Sequence, residues 1–244
     1  MGVNAFLVQD LGVLRLIRRM SPDVPVHAST QMTIHTPEGA HWAKQHGISR
    51  VVVSRELSRE EIAAVCQTGV EVETFVHGAL CMSVSGQCGL SAVIGSRSAN
   101  RGRCAQACRL PFSAKGAKNV CALSLKDLCL VPYLAELAQD GVASLKIEGR
   151  CKRPEYVAAA VTALVQARAG EEPDLDTLRA VFSRSGFTDG YYTGKRQQMF
   201  GTRQKEDVLQ AKEVLPHLAQ LYQKPTPQIA LTMDCLLYTS DAAD

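Results

Sequence analysis

The run Arg50–His77, RVVVSRELSREEIAAVCQTGVEVETFVH, decides the fold. Its two ends, Arg50 to Glu56 and Glu71 to His77, are β-branched apolar runs of strand length. Between them Ser58 is followed three residues on by Glu61, the capping-box signature that opens a helix. A strand, a helix and a second strand in so short a stretch make a parallel βαβ unit. Toward the N-terminus, Ala5–Asp10 and Val24–Thr30 are two further strand-like runs. The periodic Leu11, Val13, Leu14, Leu16 and Ile17 lie between them and close on Arg18 and Arg19. These four strands recur about 20–26 residues apart, and a fifth, Ser144–Gly149, follows a long interruption.

Each strand ends in reactive side chains: Gln9 and Asp10, His27 to Gln31, Arg55 and Glu56, His77, and Glu148. One polar strand end only marks where a strand stops. Five together point to a site, because a (β/α) barrel gathers its chemistry at the C-terminal ends of its strands. The expected fold is therefore α/β, a partial (β/α) TIM-like barrel with a cysteine-rich insertion and a helical C-terminal part. Five strands fall short of the roughly eight of a complete barrel. Later helices are expected at Pro154–Ala169, with proline at its favoured first position, near Leu175–Ser183, and over Lys205–Gln223 ahead of Pro225. A Gly- and Tyr-rich loop, Ser185–Gly194, separates the last two. The expected organisation is barrel strands and helices over 1–78, the insertion over 79–126 and a last barrel strand and helix over 127–170. A helical region and strand over 171–233 and a foreign tail over 234–244 complete it.

Composition narrows the class. The chain has 244 residues, 46% hydrophobic and 21% charged, with a net charge of +3. That excludes a mainly disordered chain, and 18 Gly with 10 Pro excludes collagen-like architecture. No apolar run reaches membrane-spanning length, and the N-terminus lacks the basic-then-apolar layout of a signal peptide. The expectation is a cytoplasmic protein with no membrane partner. Nine cysteines, an odd number, then favour metal or redox chemistry over a disulfide framework.

The tight set is Cys81-x6-Cys88-x15-Cys104-x3-Cys108, interleaved with Gly86, Gly89, Gly95 and Gly102. Four thiolates can hold a structural zinc or an iron–sulfur cluster, and free core cysteine is the third reading. Only Cys104 and Cys108 have the short spacing of a zinc knuckle, and the loose Cys81–Cys88 arm suits iron–sulfur better. Cys66, Cys129 and Cys151 are expected in helix, helix and strand-end settings, as core or incidental residues. From Thr74 to Lys126 there is no Asp or Glu, while Arg97, Arg101, Arg103, Arg109, Lys115, Lys118 and Lys126 contribute seven positive charges. A thiolate cluster accounts for part of that charge. The surplus points to an anionic partner, RNA or a small carboxylate. Aromatic residues for a stacking platform are nearly absent here, Phe112 excepted.

His77–Cys88 (HGALCMSVSGQC) and Asn100–Arg109 (NRGRCAQACR) resemble the U32 peptidase family. His27–Gln31 (HASTQ), Leu123–Leu128 (LSLKDL), Ser144–Arg150 (SLKIEGR) and Gly186–Gly194 (GFTDGYYTG) match further motifs of that family in the same order. The resemblance covers about residues 1–233. It implies a barrel-like catalytic domain with a cysteine-rich insertion. It also implies either collagenase-like proteolysis or oxygen-independent hydroxylation of ribosomal RNA, transfer RNA or a ubiquinone precursor. The hydroxylases of the family imply a [4Fe–4S] cluster, with prephenate as co-substrate and oxygen donor. Cys81, Cys88 and Cys104 carry over onto the family's cysteine motif, and Cys108 is the natural fourth ligand. Cys121 or Cys129 would serve where relatives take the fourth from further along.

Two departures from the family stand out. Its members begin with strands that this chain lacks, so a fragment without the barrel's first part, itself inactive, is expected. At the other end, Cys235–Asp244 is expected to be foreign to the family, which would remove Cys235 from any site.

The expected enzyme is an iron–sulfur hydroxylase modifying an RNA base. His77, Lys146 and Glu148 are expected to position substrate or move protons. His27, Gln31, Arg55, Arg101, Arg109 and Lys126 are expected to bind substrate. The alternatives are a peptidase using a Cys81–His77 dyad, or a subunit of a ubiquinone-precursor hydroxylase paired with another member of the family. No H-E-x-x-H helix or G-x-S-x-G elbow supports the peptidase.

Overall fold

The computed structural model describes residues 3–114, 116–149 and 152–222. Lys115, Arg150, Cys151, Pro225 and the tail 234–244 lie outside the described residues. The first third alternates strand and helix as its patterning requires. Strands β1 (Phe6–Val8), β2 (Val26–Ala28), β3 (Ile48–Val52) and β4 (Glu71–Ala79) are joined by helices α1 (Leu11–Met20), α2 (Pro37–Gln45) and α3 (Arg59–Cys66). Each helix begins on a side-chain cap. The Asp10 carboxylate accepts from the Val13 N–H, Thr36 accepts from the Gly39 N–H ahead of Pro37, and Ser58 and Glu61 close a reciprocal capping box. β1 to β4 are parallel in sequential order.

Past β4 come α4 (Leu90–Gly95) and the hairpin β5 (Phe112–Ala114) with β6 (Ala117–Val120). β7 (Asp127–Cys129), α5 (Leu134–Gln139) and β8 (Ser144–Glu148) follow, then α6 (Pro154–Ala169), α7 (Leu175–Val181), β9 (Phe187–Thr188) and α8 (Lys205–Gln220). β8 pairs with β4 in parallel, as expected of the fifth strand, whereas β7 pairs antiparallel to the end of β4 and parallel to β9. The class is α/β, with a mixed sheet. Cys129, expected in a helix, instead lies in β7, buried in the sheet. β7 and β9 hold three and two residues, too few to show a period-two pattern.

Residues paired across parallel strands point to the same face. One face thus carries His27, Arg50, Glu71 and Glu73, with Phe75, Ser144 and Lys146 continuing the row. The other carries Ala28, Val51 and Val72, which share one core with Leu14, Ala40, Ala43, Ile62 and Val65 of the helices. One face is apolar and covered by helices, and the other is polar. A second apolar cluster, with Tyr156, Ala160, Leu178 and Leu218, binds α6, α7 and α8 together.

Between Phe75 and His77 the β4–β8 register slips by one residue. Phe75 stands beside Lys146, but His77 stands beside Ile147, so the bulge turns His77 onto the opposite face. Beyond it, Gly78 has φ +123°, and a Cβ there would lie 2.4 Å from the Glu148 carbonyl oxygen. Both the backbone conformation and the close approach demand glycine. We expect Gly78→Ala to lower unfolding stability in urea by about 3 kcal/mol. Gly170→Ala, where φ is also positive (+77°) but nothing lies within 4 Å, should cost about 1 kcal/mol.

Candidate active site

Four of the parallel strands deliver residues to one cavity. Gln31 follows β2, Arg55 follows β3, Cys81 follows β4 and Glu148 ends β8, and all four line a cavity of about 840 Å³. Cys88, Cys104 and Cys108 line it as well, so the four cysteines of the motif face one space. Cys121 and Cys129 are not among its lining residues. Burial drives the thiols of Cys66 and Cys129 up to about 11, which keeps them protonated core residues.

Local backbone geometry brings the cysteines in. Gln106 adopts a left-handed conformation (φ 55°) between Cys104 and Cys108, curling the chain so that both reach the cavity. Backbone N–H groups approach two sulfurs, Leu90 N–H to Cys88 Sγ at 3.4 Å and Gln106 N–H to Cys104 Sγ at 3.3 Å. The buried Ser91 hydroxyl lies 3.9 Å from Cys104 Sγ and accepts from the Ala105 N–H. Such donors stabilise a thiolate or the sulfur of a bound cluster. Burial raises the Cys81 thiol, while the Ser83 backbone and the Arg55 guanidinium work against that rise.

Arg109 acts on the same loops. Its guanidinium donates to the carbonyls of Leu80 and Leu125, both at 2.5 Å, and to Ser124 Oγ at 3.1 Å. Leu80 precedes Cys81 and Arg109 follows Cys108, so one side chain ties the two cysteine arms together. Arg109 was expected to bind substrate. It lines the cavity, but its donors are engaged by the protein.

The other expected residues separate into groups. Arg55 lies 3.7 Å over the Phe75 ring and 3.4 Å from a Glu148 carboxylate oxygen. Lys146 does not line the cavity. It sits on the polar sheet face, 2.7 Å from Glu73, which also accepts from Ser144. His27 is on that face too, and burial followed by Arg50 lowers its pKa. Arg101 is exposed, and Lys126 is held through its backbone N–H to Met199. His77 is fully buried, its ring stacked on Tyr156 and edge-on to Phe187, and neither ring nitrogen has a hydrogen-bond partner. Among the described residues no histidine lines the cavity that Cys81 faces.

The opposite wall, from α6 to α8, was not foreseen. Lys152, Arg153, Arg184, Arg203 and Lys212 line it, beside Tyr156 and Phe182. With Arg55 and Arg109 this makes, among the described residues, seven cationic lining residues against one acid, Glu148. Lys152 sits over the Phe182 ring, and burial together with Arg184 lowers its pKa to about 8. Arg184 is anchored 2.5 Å from the buried Asp127. The available signal was the run of bases flanking Cys151 and Gly186.

The donor set suits a thiolate-bound group. Four thiols line the walls of one cavity, two sulfurs lie close to backbone donors, and arginines stand nearby to offset negative charge. Among the described residues no three His, Cys, Asp or Glu side chains close on a single ion site.

Fold and site together define an α/β protein with a thiol-lined, cationic cavity at the C-terminal ends of parallel strands. The chain belongs to peptidase family U32, whose model matches residues 1–237. It is 44% identical over 163 residues to the 23S rRNA 5-hydroxycytidine C2501 synthase of Escherichia coli, a match covering 64% of this chain and 24% of that protein. It is 34% identical to tRNA hydroxylation protein P1 of Bacillus subtilis, covering 84% of this chain and 54% of the relative. A collagenase of Porphyromonas gingivalis is 33% identical, covering 80% and 53% respectively. The chain thus spans about half the length of these relatives or less.

The buried His77 gives a measurable pH signature. Burial lowers its pKa from 6.5 to about 4. Above pH 6.5 the ring is neutral in both folded and unfolded chains, so it adds no pH dependence. Between pH 6.5 and 4 the unfolded chain takes up the proton first, so stability falls as the pH falls, by up to about 3 kcal/mol. His77→Phe, which keeps the ring contacts, should flatten that acid limb in urea titrations. An unchanged limb would show that His77 is not the group responsible.

Proposed function

We propose that this chain is the cluster-binding and donor-binding part of an oxygen-independent hydroxylase that modifies an RNA base in the cytoplasm. The observation that carries the reading is the convergence of Cys81, Cys88, Cys104 and Cys108 with Arg55 and Glu148 in one cationic cavity. Cys81, Cys88, Cys104 and Cys108 would hold a [4Fe–4S] cluster, which supplies one-electron chemistry when bound. The wall of Lys152, Arg184, Arg203 and Lys212 suits a carboxylate donor, and prephenate, a cyclic dicarboxylate, matches both that charge and the Tyr156–Phe182 surface. Glu148, next to Arg55 at the cavity wall, is the group placed to accept or return a proton. Lys146 holds Glu73 on the neighbouring sheet face. His77 shapes the core behind Tyr156. The polar sheet face, with its row from His27 to Lys146, fits the interior of a (β/α) barrel to which this sheet contributes some of the strands.

A peptidase, the other activity named among the relatives, needs a base beside its nucleophile. His77 is not among the residues lining Cys81's cavity; its buried ring packs behind Tyr156, which argues against that dyad.

The test uses the full-length protein. Anaerobic purification should yield about four irons per chain, and Cys104→Ser should lose them. Nucleoside mass spectrometry of rRNA and tRNA from a strain lacking the gene should show one missing hydroxylated base, and an intact profile would overturn the reading. Because Lys152 loses its proton near pH 8, the KM for prephenate should rise as the pH goes from 7 to 9. Lys152→Met should raise KM about tenfold at pH 7 and remove that dependence.

A further inference from the structure

A second cavity, also of about 840 Å³, opens beside the first and shares Gln31, Gly86, Cys88 and Ala99 with it. Its chemistry differs sharply. Among the described residues four carboxamides, Gln9, Gln31, Gln87 and Asn100, line it, with one cation, Arg97, and one carboxylate, Asp10. Asp10 is engaged as the cap of α1, and Gln87 donates to Thr33 Oγ1. Gln31 Oε1, by contrast, is buried with no hydrogen-bond partner. A buried amide oxygen without a donor is costly, and an N–H group from a ligand would remove that cost.

Carboxamides present a donor and an acceptor side by side, the pattern that matches the edge of a nucleobase. A near-neutral, amide-lined cavity suits a base, just as the cationic cavity next door suits an acid. Arg97, which lines it, and Arg101 close by in sequence are both exposed, on the segment that carries no acidic residue from Thr74 to Lys126. Amides also match peptide backbone, but a surrounding surface of one sign favours a polyanion.

We propose that this cavity receives the nucleobase to be modified, turned out of its RNA strand, with Gln31 reading its edge and Arg97 meeting an adjoining phosphate. The inference rests on the RNA-hydroxylase reading. Gln31 and Cys88 then form the partition at which base and donor meet.

The full-length protein, assayed with rRNA and tRNA from the deletion strain and with prephenate, tests it. Gln31→Ala should lower kcat/KM for the RNA about tenfold or more, with iron content unchanged and the prephenate KM within about twofold. Arg97→Ala should weaken RNA binding and reduce its salt dependence. Modification by Gln31→Ala at the wild-type rate would overturn the proposal. Should Gln31→Ala lose iron, Asn100→Ala on its exposed turn decides by the same criteria. A wild-type protein that modifies no RNA fails the hydroxylase reading itself. Cleavage of peptides that Gln31→Ala abolishes would instead make this a peptide site and overturn the proposal.

Discussion

The structure depends on β4 being paired along both edges. β3 and then β7 occupy one edge in succession, and β8 occupies the other. A strand held on both sides cannot slide, so a single extra residue within it has fixed consequences. The bulge before His77 sends that imidazole into the apolar layer. Gly78 lets the Glu148 backbone close against β4, and the chain then leaves the sheet as Leu80 and Cys81. The direction in which Cys81 and Glu148 enter the cavity follows from that pairing.

Charge divides the molecule along the same line. On the polar sheet face, Arg50, Glu71, Glu73 and Lys146 satisfy one another in an ion-paired row. At the strand ends that balance is lost, and among the described residues seven cationic side chains line the thiol cavity with Glu148. Positive charge in such excess over the single carboxylate attracts an anion. The neighbouring amide-lined cavity has no such excess, so two kinds of ligand can be kept apart within one site.

The strand–helix alternation was legible in the sequence because each unit carries its own signals, a β-branched run, a capping residue and a helical period. The convergence of Gln31, Arg55 and Glu148 was legible too, since it follows from parallel strands ending at one edge of a sheet. The facing of His77 was not. A bulge changes which side a residue points to without altering composition or pattern, so a histidine at a strand end looks the same in either orientation. Arg109 was readable as a cation but not as a tether, because its acceptors are backbone carbonyls that carry no sequence signal. The wall of Lys152, Arg184 and Arg203 depends on how α6 to α8 fold back over the strand ends, a tertiary contact between segments far apart in the chain.

The cysteine segment shows what tertiary packing leaves undone. Between Cys81 and Ser124, Ala107 is the one buried apolar side chain among the described residues, while Val84, Val93, Ile94 and Leu110 are exposed. The segment is held by polar ties: Arg109 to Leu80, Leu125 and Ser124, Gln87 to Thr33, and Ser91 to Ala105. A stretch of this length without an apolar core gains little from burial. In the proposed reading, the group bound by the four thiolates takes the place of that core, as a metal does in small metal-held domains. Arg109 then matters because it holds two of the four arms at the spacing such a group requires.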